Sequence, residues 1–383
     1  MTDRDPIYLD YNATTPILPE VVQAILPYLS EHFGNPSSGH VYGLRTRQAV
    51  ARARDQVAAL LGCDSDEIIF TSGGTEANNL AIRGVTAARP ARRHVVTTAI
   101  EHPATARPCD FLERRGFHVT RLGVDPGGRA RLDDARSAID DATALVTVMH
   151  SNNETGVLQP VAELTALARA AGAIVHTDAA QSLGKVPVDV RRLDVDLLSV
   201  AGHKLYAPKG VGALYVRRGT PLEPLVLGAG HERGLRPGTE NVAFIVGLGA
   251  ACEAVGRDLD AEAARIRVLR DRLWDHLAAA VPGLALNGHR EARLPNTLNV
   301  RFPRASGNAV LADATRIAAS TGSACHVGHE SASAAILALG VSAEEAIGSV
   351  RLTLGRGTTE VDVDEAANAL VESWHRVAGQ LAG

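Results

Sequence analysis

Short strand-like runs alternate with helix-like segments between about residues 66 and 215 of this 383-residue chain. The strand candidates are EIIFT, HVVTT, HVTRL, ALVTVMH, AIVHTDA, DLLSVAG and GALYVR. Between them lie segments such as PVAELTALARAAG, which carry apolar residues at helical spacing and a glycine near the end. The alternation predicts a doubly wound, largely parallel α/β sheet covered by helices on both faces. Ligands of such sheets bind beyond the carboxyl ends of the strands, so the loops there are where chemistry is expected.

The pattern changes after about residue 255. A long amphipathic segment, DAEAARIRVLRDRLWDHLAAAV, leads to the strand candidate LPNTLNVRF and then to mixed elements that end in a helix from about 362 to 380. We interpret this part of the chain as a second, smaller α+β domain.

Composition and charge exclude several classes of protein. A net charge of −4 argues against a nucleic-acid binder that relies on bulk electrostatics. No apolar run approaches the roughly 18 residues of a spanning helix, and no N-terminal apolar run follows a basic start. Four cysteines without a CxxC pair are typical of a reducing compartment and of a chain without structural zinc. We therefore expect a cytoplasmic protein that binds neither membrane nor nucleic acid.

Lysine is rare in this chain. Of its 39 basic residues only three are lysines, Lys185, Lys204 and Lys209, and the rest are arginines. Lysine is needed where an amine must lose its proton and form a covalent bond, which a guanidinium cannot do. Asp178 ends one predicted strand and Lys204 follows another, 26 residues later. Such a pair can hold the ring nitrogen and the aldehyde carbon of pyridoxal phosphate, and we favour this over a chance salt bridge.

Two further loops follow predicted strands. TSGGTEANNL has glycines that allow backbone amides to approach an anion, and Thr75 opens a helix there, so the loop suits a phosphate, although it could be merely structural. It lacks the Walker lysine and the GxGxxG spacing, which disfavours nucleotide binding. His102 in TTAIEHPA could stack on an aromatic ring and transfer protons, or could be structural.

The segment STGSACHVGHE in the C-terminal part contains Cys325. The neighbouring His326 and His329, when protonated, would favour its thiolate, which is the reactive form. With Glu330 these residues also resemble a metal-ligand cluster, but the loop is short and offers a single thiolate, so we predict no metal site. Arg351 in GSVRLTLGR could clamp a substrate carboxylate through two hydrogen bonds, or could be an exposed arginine of a strand.

Together and in order, these residues resemble the pyridoxal-phosphate cysteine desulfurases that feed iron–sulfur cluster assembly. The likeness covers nearly the whole chain and is carried by YLDYNATTP, FGNPSS, FTSGGTEANNLAI, EH, NNETG, HTDAAQSLGK, GHKLYAPKGVGALYVR, HERGLRPGTEN, GSAC and RLTLGRGTT. It implies fold type I of the pyridoxal-phosphate enzymes, similar to aspartate aminotransferase, with a mainly parallel seven-stranded sheet. It also implies a large cofactor-binding domain at 16–255 and a small domain made of 1–15 and 256–383.

The resemblance assigns roles to single residues. It implies that Lys204 bonds covalently to the cofactor, that Cys325 is the nucleophile that forms a persulfide, and that His102 stacks on the ring and assists proton transfer. The other residues expected to hold the cofactor are Gly74, Thr75, Asn153, Asp178, Gln181, His203 and, from the second subunit of a homodimer, Thr239. The residues expected to bind the substrate are Asn12, Asn35, Asn153 and Arg351.

Two departures from the family pattern matter. Ala201 stands where the family commonly has a serine, so one phosphate-binding hydroxyl is missing, which could cost about 1.5–3 kcal/mol. The run CHVGHESASAAIL lacks the family's Glu-Pro-Ser step and looks like that of selenocysteine lyases, which share the fold and cofactor.

We therefore expect an enzyme that converts L-cysteine to L-alanine and passes sulfur from Cys325 to an acceptor protein. Selenocysteine lyase remains open as an alternative. A pyridoxal-phosphate aminotransferase would leave GSAC unexplained, and a scaffold without catalysis would leave every catalytic position filled for no purpose.

Overall fold

The computed structural model describes residues 5–322 and 332–380. Within these ranges the strands are β1 (Ile7–Tyr8), β2 (Ile68–Thr71), β3 (His94–Thr98), β4 (His118–Leu122), β5 (Thr143–Met149), β6 (Ile174–Asp178), β7 (Leu197–Ala201), β8 (Gly212–Val216), β9 (Ala285–Leu286), β10 (Thr297–Arg301), β11 (Ile317–Ala318) and β12 (Ser349–Thr353). The helices are α1 (Pro19–Ser30), α2 (Val41–Leu61), α3 (Gly74–Ala88), α4 (Pro103–Arg114), α5 (Leu132–Ala138), α6 (Val161–Ala170), α7 (Val190–Leu193), α8 (Val242–Gly256), α9 (Leu259–Ala280), α10 (Gly307–Asp313), α11 (Ala334–Ala338), α12 (Ala343–Ile347) and α13 (Glu360–Gln380).

The central sheet has seven strands in the order β2-β8-β7-β6-β5-β3-β4. Strands β3 to β7 run parallel, whereas β8 is antiparallel to both of its neighbours, β2 and β7. Every residue of β3, β5, β7 and β8 is buried, as expected for a sheet covered on both faces. All seven predicted strands are present, so the predicted mainly parallel α/β sheet is confirmed.

The strand directions bring the predicted loops together. Because β8 is antiparallel to β2 and to β7, β2 points the same way as the parallel strands, and its carboxyl end lies at the same edge as theirs. The loops after β2, β3, β5, β6 and β7 therefore meet along one edge of the sheet. Every loop of the large sheet in which the sequence predicts chemistry opens at this edge.

A second, three-stranded sheet has the order β12-β10-β9 and is antiparallel. It shares a hydrophobic core with α9 and α13, built from residues such as Leu273, Val300, Leu352 and Leu370. The N-terminal β1 pairs with β11, and Asp10 forms a bridge to β12, so the start of the chain packs with its C-terminal part. The predicted domain bounds stay a prediction.

None of the helices in the described ranges is long and apolar enough to cross a membrane.

Candidate active site

A cavity of about 700 Å³ opens where the carboxyl edge of the large sheet meets the small one. Most of the predicted site residues line it together: Asn12, Gly74, Thr75, His102, Asn153, Asp178, Gln181, His203, Lys204 and Arg351. Asn35 and Thr239 do not. Asn35 is exposed, with its Oδ1 accepting from the backbone N–H of Ser37, and Thr239 is exposed as well.

The predicted nucleophile Cys325 lies outside the described residues, as do His326, His329 and Glu330. Gly322 and Ser333, on either side of this segment, both line the cavity. The three cysteines in the described ranges, Cys63, Cys109 and Cys252, are free thiols. Burial raises the pKa of each of these thiols to about 12, so none of the three forms a thiolate readily.

Lys204 lies in a single 3₁₀ turn directly after β7. Its Nζ donates to the backbone carbonyls of Asn12, at 2.6 Å, and Ala13, at 2.8 Å. Burial, and then the charge of Arg351, lower the pKa of Lys204 to about 8, while Asp10 and Asp178 act in the opposite direction. The amine can therefore lose its proton near neutral pH, as covalent chemistry requires.

Asp178 ends β6 with its carboxylate fixed on both oxygens. Asn78 Nδ2 donates to Oδ2 at 2.6 Å, and the backbone N–H of Ala180 donates to Oδ1 at 2.9 Å. The Oδ1 of Asn78 is buried without a partner among the described residues, so the side-chain amide is held there by the hydrogen bond from its Nδ2 to Asp178. This arrangement presents a fixed negative charge to the cavity, which suits a protonated ring nitrogen.

His102 caps the N-terminus of α4. Its Nδ1 accepts from the backbone N–H of Ala104 at 3.1 Å, so the neutral ring carries its proton on Nε2. Desolvation of the ring is the main reason that the pKa of His102 is lowered; Lys204 adds to this effect and Asp178 opposes it. A neutral ring can both stack on an aromatic group and exchange a proton at Nε2.

The start of α3 forms one wall of the cavity. Gly73 has φ of 149°, and α3 begins at Gly74 without a side-chain cap, so backbone N–H groups are available to an anion. A Cβ at Gly74 would lie 3.2 Å from the Cβ of Ala201, so the helix start packs closely against the end of β7. Together with Thr75 and His203, this set of donors fits a phosphate group. Burial is the main reason that the pKa of His203 falls to about 4, so this ring is neutral and can accept or donate.

Arg351 lies in β12 on the opposite wall and is only 7% exposed. Its Nη2 donates to Asp10 Oδ1 at 2.8 Å and its Nη1 to the carbonyl of Asn153 at 3.1 Å. Its Nε is buried without a partner in the described part of the chain. A buried guanidinium at the cavity wall favours the carboxylate clamp over the alternative of an exposed strand arginine.

Comparison with known proteins places this geometry in a family. The model of the aminotransferase class-V family matches residues 7–366. The chain belongs to this family. Cysteine desulfurases are prominent among its relatives: that of Trichormus azollae is 46% identical over 97% of this chain and 93% of its own length. The cysteine desulfurase NifS of Azotobacter vinelandii is also 46% identical, over 94% of this chain and 90% of its own.

A solved structure of a NifS-like protein superposes on this class-V aminotransferase fold with a TM-score of 0.90 and 35% identity. The match covers 96% of this chain and 98% of that one. The predicted family, the fold class and the assignment as an enzyme of the cysteine desulfurase type are thereby confirmed.

Three residues that the sequence did not single out lie in or next to this class-V site: Asn78 and Glu154 line the cavity, and Glu101 directly precedes His102 in the chain. Asn78 lies four residues after Gly74, one turn into α3, a spacing that could have placed it at the cavity. Glu101 accepts from Thr98 Oγ1 at 2.7 Å and from the backbone N–H of Met149 at 3.0 Å, and burial raises its pKa to about 8. Glu154 lines the cavity, accepts from Ser333 Oγ at 2.5 Å, and has a pKa that burial raises.

Proposed function

We propose that this protein removes sulfur from L-cysteine, releases L-alanine and carries the sulfur as a persulfide on Cys325 for transfer to an acceptor. The observation that carries the proposal is the convergence of the Lys204 amine and the Asp178 carboxylate on one cavity, in a chain that resembles cysteine desulfurases over almost its full length. Iron–sulfur cluster assembly or another thiolation reaction would consume the sulfur.

The cofactor in this proposal is pyridoxal 5′-phosphate, and the residues of the cavity fit it. Lys204 offers an amine for the aldehyde, Asp178 a carboxylate for the ring nitrogen, and the start of α3 a set of donors for the phosphate. His102, Asn153, Gln181 and His203 would complete the set. When bound, this cofactor supplies an electron sink for the pair left when a Cα proton is removed.

The residues of the chain would bind the substrate, transfer the protons and supply the nucleophile. Arg351 binds the substrate carboxylate, and the Lys204 amine takes the Cα proton. His102 holds a proton at Nε2 and exchanges it with the thiols. The Cys325 thiolate attacks the substrate sulfur, so that an S–S bond forms while the C–S bond breaks, and the electron pair of the broken bond stays on the carbon skeleton, which leaves as alanine after protonation.

Selenocysteine lyase is the second candidate. It is favoured by the run CHVGHE at 325–330, which resembles that of selenocysteine lyases. A C–Se bond is weaker than a C–S bond and the selenol is largely ionised, so release of selenide need not depend on a nucleophilic thiolate. The two candidates therefore differ in what they require of Cys325.

Initial rates of alanine formation from L-cysteine and from L-selenocysteine, measured side by side with a thiol reductant, test the proposal. Efficient use of cysteine supports a desulfurase, and rapid turnover of selenocysteine with poor use of cysteine would instead identify a lyase. Cys325→Ala should abolish cysteine turnover in a desulfurase. Lys204→Ala should abolish turnover of both substrates, and substantial remaining activity would refute the assignment.

The homodimer belongs to the same proposal. Thr239 does not line the cavity of its own chain, as expected if it serves the phosphate site of a second copy. Helices α1 and α2 and the loop between them expose a group of large apolar side chains: Val22, Leu26, Leu29, Phe33, Val41, Tyr42 and Leu44. A second copy would cover them. The cytoplasmic location stays a prediction from the sequence.

A further inference from the structure

Lys185 is the lysine that the proposed mechanism leaves without a role. It follows Asp178 by seven residues and lines a narrow cleft together with Tyr206 and Asn296. Its Nζ donates to Gln181 Oε1 at 2.9 Å and to Asn12 Oδ1 at 3.1 Å. Both acceptors belong to residues that line the main cavity.

The hydrogen bonds of Lys185 show how these two amides are turned. Its Nζ donates to both, so each side chain presents its oxygen to Lys185, and Asn296 Nδ2 also donates to Asn12 Oδ1, at 3.1 Å, which holds that amide in the same orientation. The amide nitrogens then face away from Lys185. Gln181 Nε2 donates to the backbone carbonyl of Asn12 at 3.0 Å, and Asn12 Nδ2 donates to Thr297 Oγ1 at 3.0 Å.

The contacts of Lys185 continue to the reactive lysine. The backbone carbonyl of Asn12 accepts from Gln181 Nε2 and also from Lys204 Nζ, at 2.6 Å. Asn12 is 1% exposed and Gln181 6%, so water has little access to replace a lost contact. The carbonyl oxygen of Asn12 thus accepts from both the Lys204 amine and the Gln181 amide, and Lys185 orients the Gln181 amide.

Lys185 contributes little to this site as a charge. Its Nζ donates to two neutral amides, and among the described residues it forms no ion pair with a carboxylate. Burial, followed by the charges of Lys204 and Arg351, lowers its pKa well below the usual value. An amine held without a counter-ion adds little to stability, so a role through its hydrogen bonds explains the arrangement better than an ion pair does.

We propose that Lys185 is a positioning residue: it holds the amides of Asn12 and Gln181 in one orientation and thereby fixes the Asn12 carbonyl against the Lys204 amine. The kinetic consequence rests on the proposed function, whereas the effect on the Lys204 amine does not.

The first test measures the Lys204 amine directly. The cofactor-free, full-length chain is treated with a short pulse of acetic anhydride at pH 7, and acetylation at each lysine is quantified by mass spectrometry, which is simple in a chain with three lysines. Lys185→Met should acetylate Lys204 at least threefold faster than the wild type, because the amine loses a fixed acceptor that stabilises its protonated form. Lys209→Met, at an exposed lysine, is the matched control and should leave the rate unchanged.

An unchanged rate at Lys204 in folded Lys185→Met would overturn the proposal and reduce Lys185 to a packing role. Folding is checked by the midpoint of urea unfolding. If Lys185→Met does not fold, Gln181→Leu removes the other end of the same hydrogen bond and takes its place, with the same threefold increase expected.

The second test uses the holoenzyme. Lys185→Met and Gln181→Leu should each lower kcat about tenfold, and the double variant should be no slower than the slower single variant, because both changes break one chain of contacts. Multiplication of the two effects would contradict the proposal. If the wild type turned over neither cysteine nor selenocysteine, the proposed function would be refuted. The role of Lys185 would still be decided by the acetylation result.

Discussion

At the scale of single residues, the chemistry of this site depends on which basic side chains can lose a proton. Arginine supplies the permanent cations, as Arg351 does in the wall of the cavity. Lys204 is a base that can lose its proton, because burial and the nearby guanidinium of Arg351 lower its pKa to about 8. The scarcity of lysine in the sequence and the environment of Lys204 in the structure point to the same conclusion.

The reactivity of Lys204 should follow this pKa. In the cofactor-free protein its acetylation rate should rise about tenfold per pH unit below pH 8 and level off above it, because only the neutral amine reacts. Site-resolved mass spectrometry between pH 6 and pH 10 measures the profile. A rate that still rises steeply above pH 9 would contradict the depressed pKa.

Asn78 should matter to the cofactor through Asp178. Asn78→Ala removes a 2.6 Å hydrogen bond to a buried carboxylate, and hydrogen bonds to charged groups contribute about 1.5–3 kcal/mol, so the affinity for pyridoxal phosphate should fall roughly 10- to 100-fold. Fluorescence titration of the cofactor-free protein measures it. Asn368→Ala, at an exposed asparagine of α13, is the control, and equal affinities in the two variants would speak against the role of Asn78.

Glu101 should make stability depend on pH. Its pKa of about 8 in the folded protein lies above the value of 4.5 in the unfolded chain, so the folded state retains a proton that the unfolded state has lost between these values. Through this group the free energy of unfolding should fall as pH rises from about 4.5 to 8, by up to about 1.4 kcal/mol per pH unit. Glu101→Gln should remove this slope and Glu372→Gln, an exposed control, should keep it. Urea unfolding at several pH values measures it, and identical slopes in all three proteins would refute the assignment.

At the scale of elements, the site depends on how loops leave the carboxyl ends of strands. After β5, Asn152 Oδ1 accepts from the backbone N–H groups of Glu154 and Thr155, which bends the chain and presents Asn153 and Glu154 to the cavity. Gly156 closes this turn with φ of 76°, and a Cβ there would lie 2.7 Å from the Cβ of Thr297. The glycine of NNETG is thus required both by its backbone angle and by close packing.

Gly156→Ala should therefore destabilise the protein and impair the site together. The left-handed backbone alone costs about 1–3 kcal/mol, and the clash with Thr297 adds to it. Gly379→Ala, in α13 with no neighbouring atom within 4 Å, is the matched control and should be neutral or stabilising. Urea unfolding measures both variants, and equal stabilities would contradict the strain argument.

At the scale of the whole molecule, the cavity is shared between two cores. Asp178 ends a strand of the large sheet and Lys204 follows another, Arg351 belongs to the small sheet, and Asn12 comes from the N-terminal segment that packs with it. Any change in how the two sheets meet would alter the distance between the amine and the carboxylate clamp. The proposed dimer would add a residue of the partner to this shared site.

The dimer should depend on the exposed apolar side chains of α1 and α2. Phe33 is 74% exposed and its ring stacks on that of Tyr42, so Phe33→Asp would place a charge in the proposed interface. Sedimentation should give twice the chain mass for the wild type and a shift towards monomer for the variant. Val268→Asp, at a valine of α9 that is 65% exposed, is the control and should stay dimeric. A monomeric wild type would refute the dimer.

The family and the main elements of secondary structure were predictable from the sequence. The seven strands of the large sheet, the long helix α9, the strand β10 and the final helix were all predictable, because hydrophobic periodicity is a local property of the chain. That Thr75, His102, Asp178 and Lys204 meet at one edge was predictable for a similar reason: they lie in short motifs at strand ends, and strand ends of a parallel sheet share one edge. Asn12, Asn35 and Asn153 came only from the family resemblance.

Properties that depend on contacts between distant parts of the chain were not predictable from the sequence and follow from the fold. The hydrogen bond from Asn78 to Asp178 joins residues 100 positions apart, and that from Lys204 to Asn12 joins residues 192 positions apart. The burial of Arg351, the pKa of Lys204 and the link from Lys185 to the active site follow from such contacts. No local pattern encodes them, because the field and the water around a side chain are set by whichever groups the fold brings beside it.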